Sequence, residues 1–415
     1  MRLTERAWKR LDAVRRMERG ELTTKEAGRV LGLSPRQVRR LRRRVEKGGA
    51  AAMVHGNEGK PSKLRTAASV AKRVVGLAKG KYRGFNDQHL QEKLRELEGI
   101  ELSRSTVRRL LRKAAVSAVR KRRPPRHRRR RDRKPRAGMM VLWDGSRHAW
   151  LEDRGPMLCL MGAIDDATSE VLPGAHFVEQ ESAAGYLHVL LHIVTTKGIP
   201  LSAYGDQHSA LKRNDEHWTL EEELRGEQDP TQVGRALKAL EIERIDALSP
   251  QAKGRVERLW GTLQDRLVSE LRLAKARTCE QANVVLECYR AKHNERFAVA
   301  PQDATPAWRK VRAGMDVARL CAFQYEATVL NDNTVRLGGL VFDIPPGPGG
   351  RGFAKARVQL VQLLDGSWRI YRHDQLIATA AATQTSELRA KKNRKRSAAS
   401  RAFRKAVQTI SSASP

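Results

Sequence analysis

The sequence has few cysteines, a shortage of acid relative to base, and no long apolar run. Its four cysteines, Cys159, Cys279, Cys288 and Cys321, form no Cys-x-x-Cys pair. That spacing excludes a disulfide framework and a cysteine zinc site, leaving small buried hydrophobes as the expectation. No stretch approaches the roughly 20 apolar residues of a membrane span. The opening run, Met1 to Arg10, has no apolar core of the signal-peptide kind. The expectation is a soluble, intracellular protein without a membrane partner. Against 46 acidic residues stand 81 Lys and Arg, a formal net charge of +35. Such an excess opposes compaction by self-repulsion, and its usual compensation is a polyanion, DNA or RNA above all. With 415 residues the chain is too long for one compact domain and suits about two to four.

The spacing predicts helices through residues 1 to 48, and the first 50 residues read as one domain. Ala27, Val30 and Leu31 fall at i, i+3 and i+4, Gly32 is placed to end that helix, and Ser34-Pro35 supplies an N-cap with proline in the first turn. The next helix turns Val38, Leu41 and Val45 inward and carries Arg36, Arg39, Arg40 and Arg43 outward. Two helices joined by a short Gly-containing turn, the second arginine-rich, form the helix-turn-helix pattern of DNA readers. The pattern returns over residues 60 to 117. There, helices are expected near 67 to 79 and 87 to 97, with Leu90, Leu94 and Leu97 on one face and Gly99 in the turn. Ser103 caps a last basic helix bearing Arg104, Arg108 and Arg109. Tandem units read a longer site than one, since each reaches only a few base pairs; the competing reading is a single helical domain with a solvated basic face.

Residues 118 to 137, including Arg128 and Arg129, hold a basic run that cannot bury a core. Lying between two DNA modules, it reads as a linker that tracks phosphates. From Gly138 the texture becomes that of a mixed α/β layer extending to about residue 300. Residues 139 to 144 form a buried-type strand ending at Asp144, 157 to 164 a second, and 171 to 178 a third. A helix with Leu187, Leu190, Leu191 and Val194 follows, then a short strand ending at Asp206. A helix near 231 to 240, a strand at 243 to 246 and a long helix from about 251 to 273 complete it. Residues 315 to 380 read as a small all-β unit, expected to be a β-barrel, with turns at Asn331-Asp332-Asn333, Gly338-Gly339 and Asp365-Gly366. Residues 381 to 415 read as a basic, mobile tail.

Cutting a phosphodiester without a covalent enzyme intermediate is commonly done with two divalent ions, one activating the attacking hydroxyl and the other stabilising the departing oxygen. Mg²⁺ and Mn²⁺ prefer oxygen ligands, so carboxylates must converge from different elements. Asp144 and Asp206 each end an expected strand, and Glu257 lies in the first turns of the long helix, with Lys253 and Gly261 one turn to either side. Asp165-Asp166 is better explained as a turn. Glu221, Glu222 and Glu223 are a rival source of the third ligand, ranked below Glu257 because a charge run is usually a solvated face. Trp143 and Trp260 are read as either core or DNA-adjacent, and His208 as an ordinary polar contact rather than a catalytic aid.

Asp144, Asp206 within Tyr204-Gly205-Asp206-Gln207-His208, and Glu257 within Pro250-Gln251-Ala252-Lys253-Gly254-Arg255-Val256-Glu257-Arg258 resemble the retroviral-integrase-type catalytic core. Lys292-His293-Asn294-Glu295-Arg296-Phe297, with Thr305-Pro306 after it, resembles the end of the bacterial version, and the best match is a DDE transposase of the ISNCY type. The resemblance implies an RNase H-like core and two Mg²⁺ or Mn²⁺ ions held by Asp144, Asp206 and Glu257. It also implies 3′-end cleavage at terminal inverted repeats by water, then joining of the freed 3′-hydroxyl to target DNA. Lys253 and Arg255 would hold phosphates, and the protein would act as a homo-oligomer on DNA in the bacterial cytoplasm, at the nucleoid. The sequence departs from relatives in the Gln-His after Asp206 and in the 51 positions (257 − 206) between the last two acids, implying an insertion around 212 to 230. A transcriptional regulator with a degenerate core, and a metal-dependent nuclease without strand transfer, are the alternatives.

Overall fold

A computed structural model describes residues 4–54, 65–118, 131–213, 218–246 and 254–388. The chain divides into two compact units, Met1–Arg73 and Val74–Pro415.

The first unit holds α1 (Glu5–Glu18), α2 (Thr24–Leu31) and α3 (Pro35–Gly48). Thr23 with Glu26, and Ser34 with Gln37, form capping boxes, each satisfying two backbone donors that a helix start leaves open. Gly32 ends α2 with φ 63°, a left-handed conformation that side chains with a Cβ resist. Val14, Val38 and Leu41 bury the seam between these helices, while Arg36, Arg39, Arg40 and Arg43 stand exposed. The expected helix-turn-helix is therefore formed as α2, Gly32 and α3.

Next comes α4 (Ala68–Lys79), which crosses the boundary between units, followed in the second unit by α5 (Asp87–Glu98) and α6 (Arg104–Lys113). Leu90 and Leu94 are buried as expected, but Leu97 is 57% exposed, because the buried stripe of α5 runs instead through His89, Glu92 and Lys93. These side chains meet acids and bases that enter the description with α10 and α11.

The central sheet comprises β1 (Met140–His148), β2 (Leu158–Asp165), β3 (His176–Val178), β4 (Ser202–Gly205) and β5 (Glu243–Asp246). Its strand order is β3-β2-β1-β4-β5. The first three strands are antiparallel, whereas β4 runs parallel to β1 and β5 parallel to β4. This three-strand meander extended by two parallel strands is the arrangement expected of an RNase H-like core. Helix α7 (Ala183–Thr196) leads from β3 to β4; α8 (Leu220–Arg225) and α9 (Gln232–Ala239) lead to β5. The long helices α10 (Gly254–Leu273) and α11 (Cys279–Phe297) follow, then the short α12 (Val317–Leu320).

Strand periodicity sends alternate residues to opposite faces. Val141 and Trp143 pack with Leu187 and Leu190 of α7 and Val233 and Leu237 of α9. Leu142, Leu160 and Tyr204 pack on the other face with Leu259, Leu263 and Leu267 of α10 and Leu286 of α11. Trp143 is thus a core residue, 2% exposed.

Two strand expectations change. β1 continues four residues beyond Asp144, because β2 pairs with it as far as His148 opposite Leu158. The third strand shortens to His176–Val178, and Val171 contributes only an isolated bridge to Ile164. Asp165 and Asp166 do form the turn after β2, as expected. Cys159 and Cys321 are buried, Cys279 is half-buried and Cys288 is exposed, so the small-hydrophobe expectation fails for the last.

Helix α5 is tied to α10 and α11 by charge. Glu92 pairs with Arg266 at 2.7 Å and with Arg296. Glu270 accepts from His89 Nε2 at 2.6 Å and Lys93 Nζ at 2.8 Å.

The carboxy-terminal region holds β6 (Phe323–Thr328), β7 (Thr334–Leu337), β8 (Leu340–Asp343), β9 (Arg357–Gln362), β10 (Trp368–Arg372) and β11 (Gln375–Ala380). They form an open four-stranded sheet, β11-β10-β9-β6, and a separate β7-β8 hairpin. The expected β-barrel is not formed: closure needs the outer strands to pair with a fixed stagger, and β6 and β11 do not pair among the described residues. Instead the hairpin lays Val335 and Phe342 over Leu360, Trp368 and Ile370. The three expected turn sites are correct, each containing a residue with positive φ: Asn333, Gly338 with Gly339, and Gly366.

Candidate active site

The site begins with a register. Met140, Val141 and Leu142 of β1 lie opposite Ser202, Ala203 and Tyr204 of β4. Two residues beyond Leu142 and Tyr204 stand Asp144 and Asp206, the latter immediately after β4 ends. Neighbouring strands lie about 4.8 Å apart, so the parallel register delivers both acids to one end of the β1–β4 seam. Asp144 is therefore a mid-strand residue, placed where β1 outlasts its parallel partner. Both acids are half-buried. Asp206 Oδ1 accepts from the His208 amide at 3.1 Å, turning the chain away from the sheet.

Helix α10 packs on the face of the sheet that carries Leu142 and Tyr204, and reaches Asp144 from there. Trp260 Nε1 donates to Asp144 Oδ2 at 3.1 Å, and Gln264 Nε2 donates to Ser146 Oγ at 3.2 Å. Trp260 is 7% exposed, so this tryptophan is both core and acid-contacting. Glu257 lies three residues before Trp260 and seven before Gln264, on the same helical strip, and is exposed. The structure thus brings Asp144 and Asp206 to one seam and leaves Glu257 on the helix that contacts it. Among the described residues no three His, Cys, Asp or Glu side chains are gathered as a metal-holding group.

A fourth acid, Glu181, was missed by the sequence reading. It precedes α7, whose N-cap is Ser182, and its Oε1 accepts from the Tyr186 phenol at 2.5 Å. His208 Nδ1 stands 3.7 Å from the same oxygen and accepts from the Ala210 amide at 3.2 Å. Gly145 makes room for this acid: a Cβ there would lie 2.5 Å from Glu181 Oε2. Burial pushes the Tyr186 phenol well above its ordinary value, and Glu181, Asp206 and Asp144 add to the rise by disfavouring a further negative charge. Burial, Glu181 and Asp144 likewise push the Cys159 thiol up to about 11. Three carboxylates therefore act on one small region. The only signal in the sequence was the Glu181-Ser182 pair before an apolar helix, which reads equally well as a cap.

The other expected residues separate cleanly. Glu222, a rival for the third ligand, completes a capping box instead: the Thr219 and Asp229 amides hold its carboxyl down to about 2, and Arg213 pairs with it. Arg255 was expected on phosphate, but its guanidinium pairs with fully buried Asp166 and donates to the Arg131 carbonyl at 2.6 Å. Arg104, Arg108 and Arg109 stand exposed on α6. Lys253, Arg128 and Arg129 lie outside the described residues. Among the described residues no helix is long and apolar enough to cross a membrane.

Comparison with known proteins agrees with this architecture. A family model described as a helix-turn-helix domain matches residues 9–62. The chain is 35% identical over 351 residues to "Putative transposase y4bF" of Sinorhizobium fredii (strain NBRC 101917 / NGR234), covering 81% of this chain and 75% of that one. It is 33% identical over 322 residues to the transposase for insertion sequence IS1202 of Streptococcus pneumoniae, covering 68% of this chain and 67% of the relative. Among solved structures it is similar to a simian T-cell lymphotropic virus intasome in complex with PP2A regulatory subunit B56 gamma. There the identity is 14% and the TM-score 0.31, over 74% of this chain and 99% of that chain. For the HTLV-2 integrase catalytic core domain in complex with magnesium the values are 14% and 0.27, over 41% and 94%. Similarity that low adds no argument to the strand order above. The two curated relatives do: the chain belongs to the transposase family, with an amino-terminal helix-turn-helix domain.

Proposed function

We propose that Asp144, Asp206 and Glu257 together hold two Mg²⁺ or Mn²⁺ ions, and that the chain uses them to cleave the 3′ ends of its element and join them to target DNA. The observation that carries this reading is the β1–β4 register, which sets Asp144 beside Asp206, with α10 tied to the same strand through Trp260 and Gln264. The donor set suits hard divalent cations, being entirely carboxylate oxygen. When bound, such ions lower the barrier to hydroxyl attack on phosphorus and stabilise the departing oxygen.

The protein's own part is positioning. Trp260 orients the Asp144 carboxylate through one of its oxygens, and the His208 amide does the same for Asp206. Glu257, outside the buried seam, can swing toward the pair, and like-charge repulsion makes that closure depend on a cation. DNA recognition is proposed for the exposed arginines of α3 and α6, with 1–50 and 60–117 as reading domains, 118–137 as a phosphate-tracking linker and 138–300 as the catalytic core. A homo-oligomer on DNA and a place at the nucleoid follow from the need to bring two element ends together.

The test is cleavage and joining of end-bearing DNA by Asp144→Asn, Asp206→Asn and Glu257→Gln proteins. Each should lose Mg²⁺-dependent cleavage by at least about a thousandfold, a loss of some 4 kcal/mol of transition-state stabilisation, while binding the ends nearly as well as the parent. Full activity of Glu257→Gln would overturn the assignment of the third ligand.

A further inference from the structure

On the flank of α10 turned away from Asp144 lies a cavity of about 200 Å³ between the 165–169 turn, the first half of α10 and the end of α11. Arg133, Arg255 and Arg258 line it, with Ser169 and His293. The charge there is unbalanced. Asp166 is shared by Arg131 and Arg255. Asp165 is occupied by the Gly138 amide and by Thr168. Arg133 and Arg258 have no carboxylate partner among the described residues. Burial, and then the like charge of Arg255, pull the Arg133 guanidinium below its ordinary value; Arg258 adds to the fall, and Asp166 and Asp165 oppose it.

The donors are preorganised. Arg133 Nη1 donates to the Asp166 and Ala167 carbonyls, both at 3.1 Å, and to Ser169 Oγ at 2.8 Å. This fixes the fork, and among the described residues Nη2 and Nε have no hydrogen-bond partner. Ser169 Oγ accepts in that bond and keeps its own proton to give. His293 is 3% exposed, and its Nδ1 is buried with no hydrogen-bond partner among the described residues. Burial and Arg266 hold that imidazole down to about 4, so at neutral pH it can donate one N–H without adding charge. A buried polar atom left unpaired is costly, and His293 lines this cavity as well as the one beside α5.

We propose that this cavity seats one phosphodiester group of the bound DNA, clamped by Arg133 and Arg258 with Ser169 and His293 beneath. The proposal rests on the transposase reading for the identity of the polyanion. Asp166 pairs with both Arg255 and Arg131, which ties these two guanidiniums to the protein and leaves Arg133 and Arg258 to face the ligand.

The test is binding of the full chain to an end-bearing duplex and to an unrelated duplex, followed by fluorescence anisotropy over a range of KCl. Arg258→Gln should weaken both complexes by a similar factor and reduce the slope of log K on log salt by about 0.9, the value for one phosphate contact. Arg258→Lys should restore most of that slope. Thermal unfolding of both variants should match the parent, because Arg258 is exposed. Unchanged affinity and slope in Arg258→Gln would overturn the seat. A parallel titration with inorganic phosphate, read by the His293 imidazole ¹⁵N resonances, separates a free-anion site. If the response to phosphate is lost in Arg258→Gln while the DNA slope is kept, the phosphodiester assignment falls. A parent chain that binds with the expected slopes but cuts nothing would retain the seat and lose the catalytic proposal.

Discussion

Trp260 gives the site its most direct test at the residue scale. Its indole N–H holds one oxygen of Asp144 while the ring fills the core between α10 and β1. Trp260→Phe should preserve most of the packing and remove only the hydrogen bond. Bonds to charged groups contribute about 1.5–3 kcal/mol, so Mg²⁺-dependent cleavage should fall roughly ten- to hundredfold with end binding unchanged. Steady-state cleavage against anisotropy checks this, and parental activity would remove Trp260 from the positioning machinery. Glu181 makes a second test. It shares the neighbourhood of Asp144 and Asp206, held by Tyr186 and faced by His208. Glu181→Gln keeps the acceptor for the phenol and removes a charge, so the Cys159 thiol should titrate lower than in the parent. Thiolate absorbance against pH, with Cys159→Ser as the control, reads that shift; an unmoved profile would place Glu181 outside electrostatic reach.

At the scale of elements, α5 is joined to α10 and α11 by ion pairs rather than by an apolar seam. Glu92 is 3% exposed and binds both Arg266 and Arg296. Removing one partner of a buried pair leaves an uncompensated charge, and Glu92→Gln should destabilise the second unit by about 3–5 kcal/mol. The pH dependence has a definite sign. Despite the opposing effect of burial, Arg266 and Gln88 hold the Glu92 carboxyl below its ordinary 4.5, and His89 and Lys93 do the same for Glu270. Their contribution is complete above the unfolded value and is lost as pH falls through the lowered folded values. Thermal melts from pH 7 downward should therefore hold until about 4.5 and then decline, less steeply in Glu92→Gln. A decline equally steep in both would show that the pair does not stabilise the docked helix. Leu97 differs from expectation for the same reason: beside Leu90 and Leu94 the buried face of α5 carries His89, Glu92 and Lys93, which a periodicity of apolar residues does not mark.

The chain as a whole is a polycation. Its net charge of +35 should make DNA affinity strongly salt-dependent. For six to ten phosphate contacts, the loss between 50 and 200 mM salt is about 10³–10⁵-fold. A flat dependence would argue against a role for this excess of cations. Arg39→Ala with Arg40→Ala on exposed α3 should lower preference for end sequences over unrelated DNA by roughly tenfold or more, since a good base contact is worth about 1–3 kcal/mol. Competition footprinting reads that ratio, and an unchanged ratio would move sequence recognition away from α3.

Much of this was legible from local chemistry alone. Ser34-Pro35, Gly32 and Ser103 set helix ends because capping and left-handed glycine are decided within four residues. Asp144 and Asp206 stood out because each follows an apolar strand, and α9, β5 and the carboxy-terminal turns were equally local. What tertiary structure decided was partnership. β1 outran its expected end because β2 was there to pair with it, and the carboxy-terminal strands stayed open because no stagger joined β6 to β11. Arg255 and Arg258 look alike in sequence, yet only the fold brings Asp166, 89 residues away, to one of them. Glu181 joined the acids for the same reason, since Gly145 admits it from another element. Caps, turns and periodicity are short-range and survive in a string of letters; charge pairing and strand closure depend on distance in space, which only the folded chain supplies.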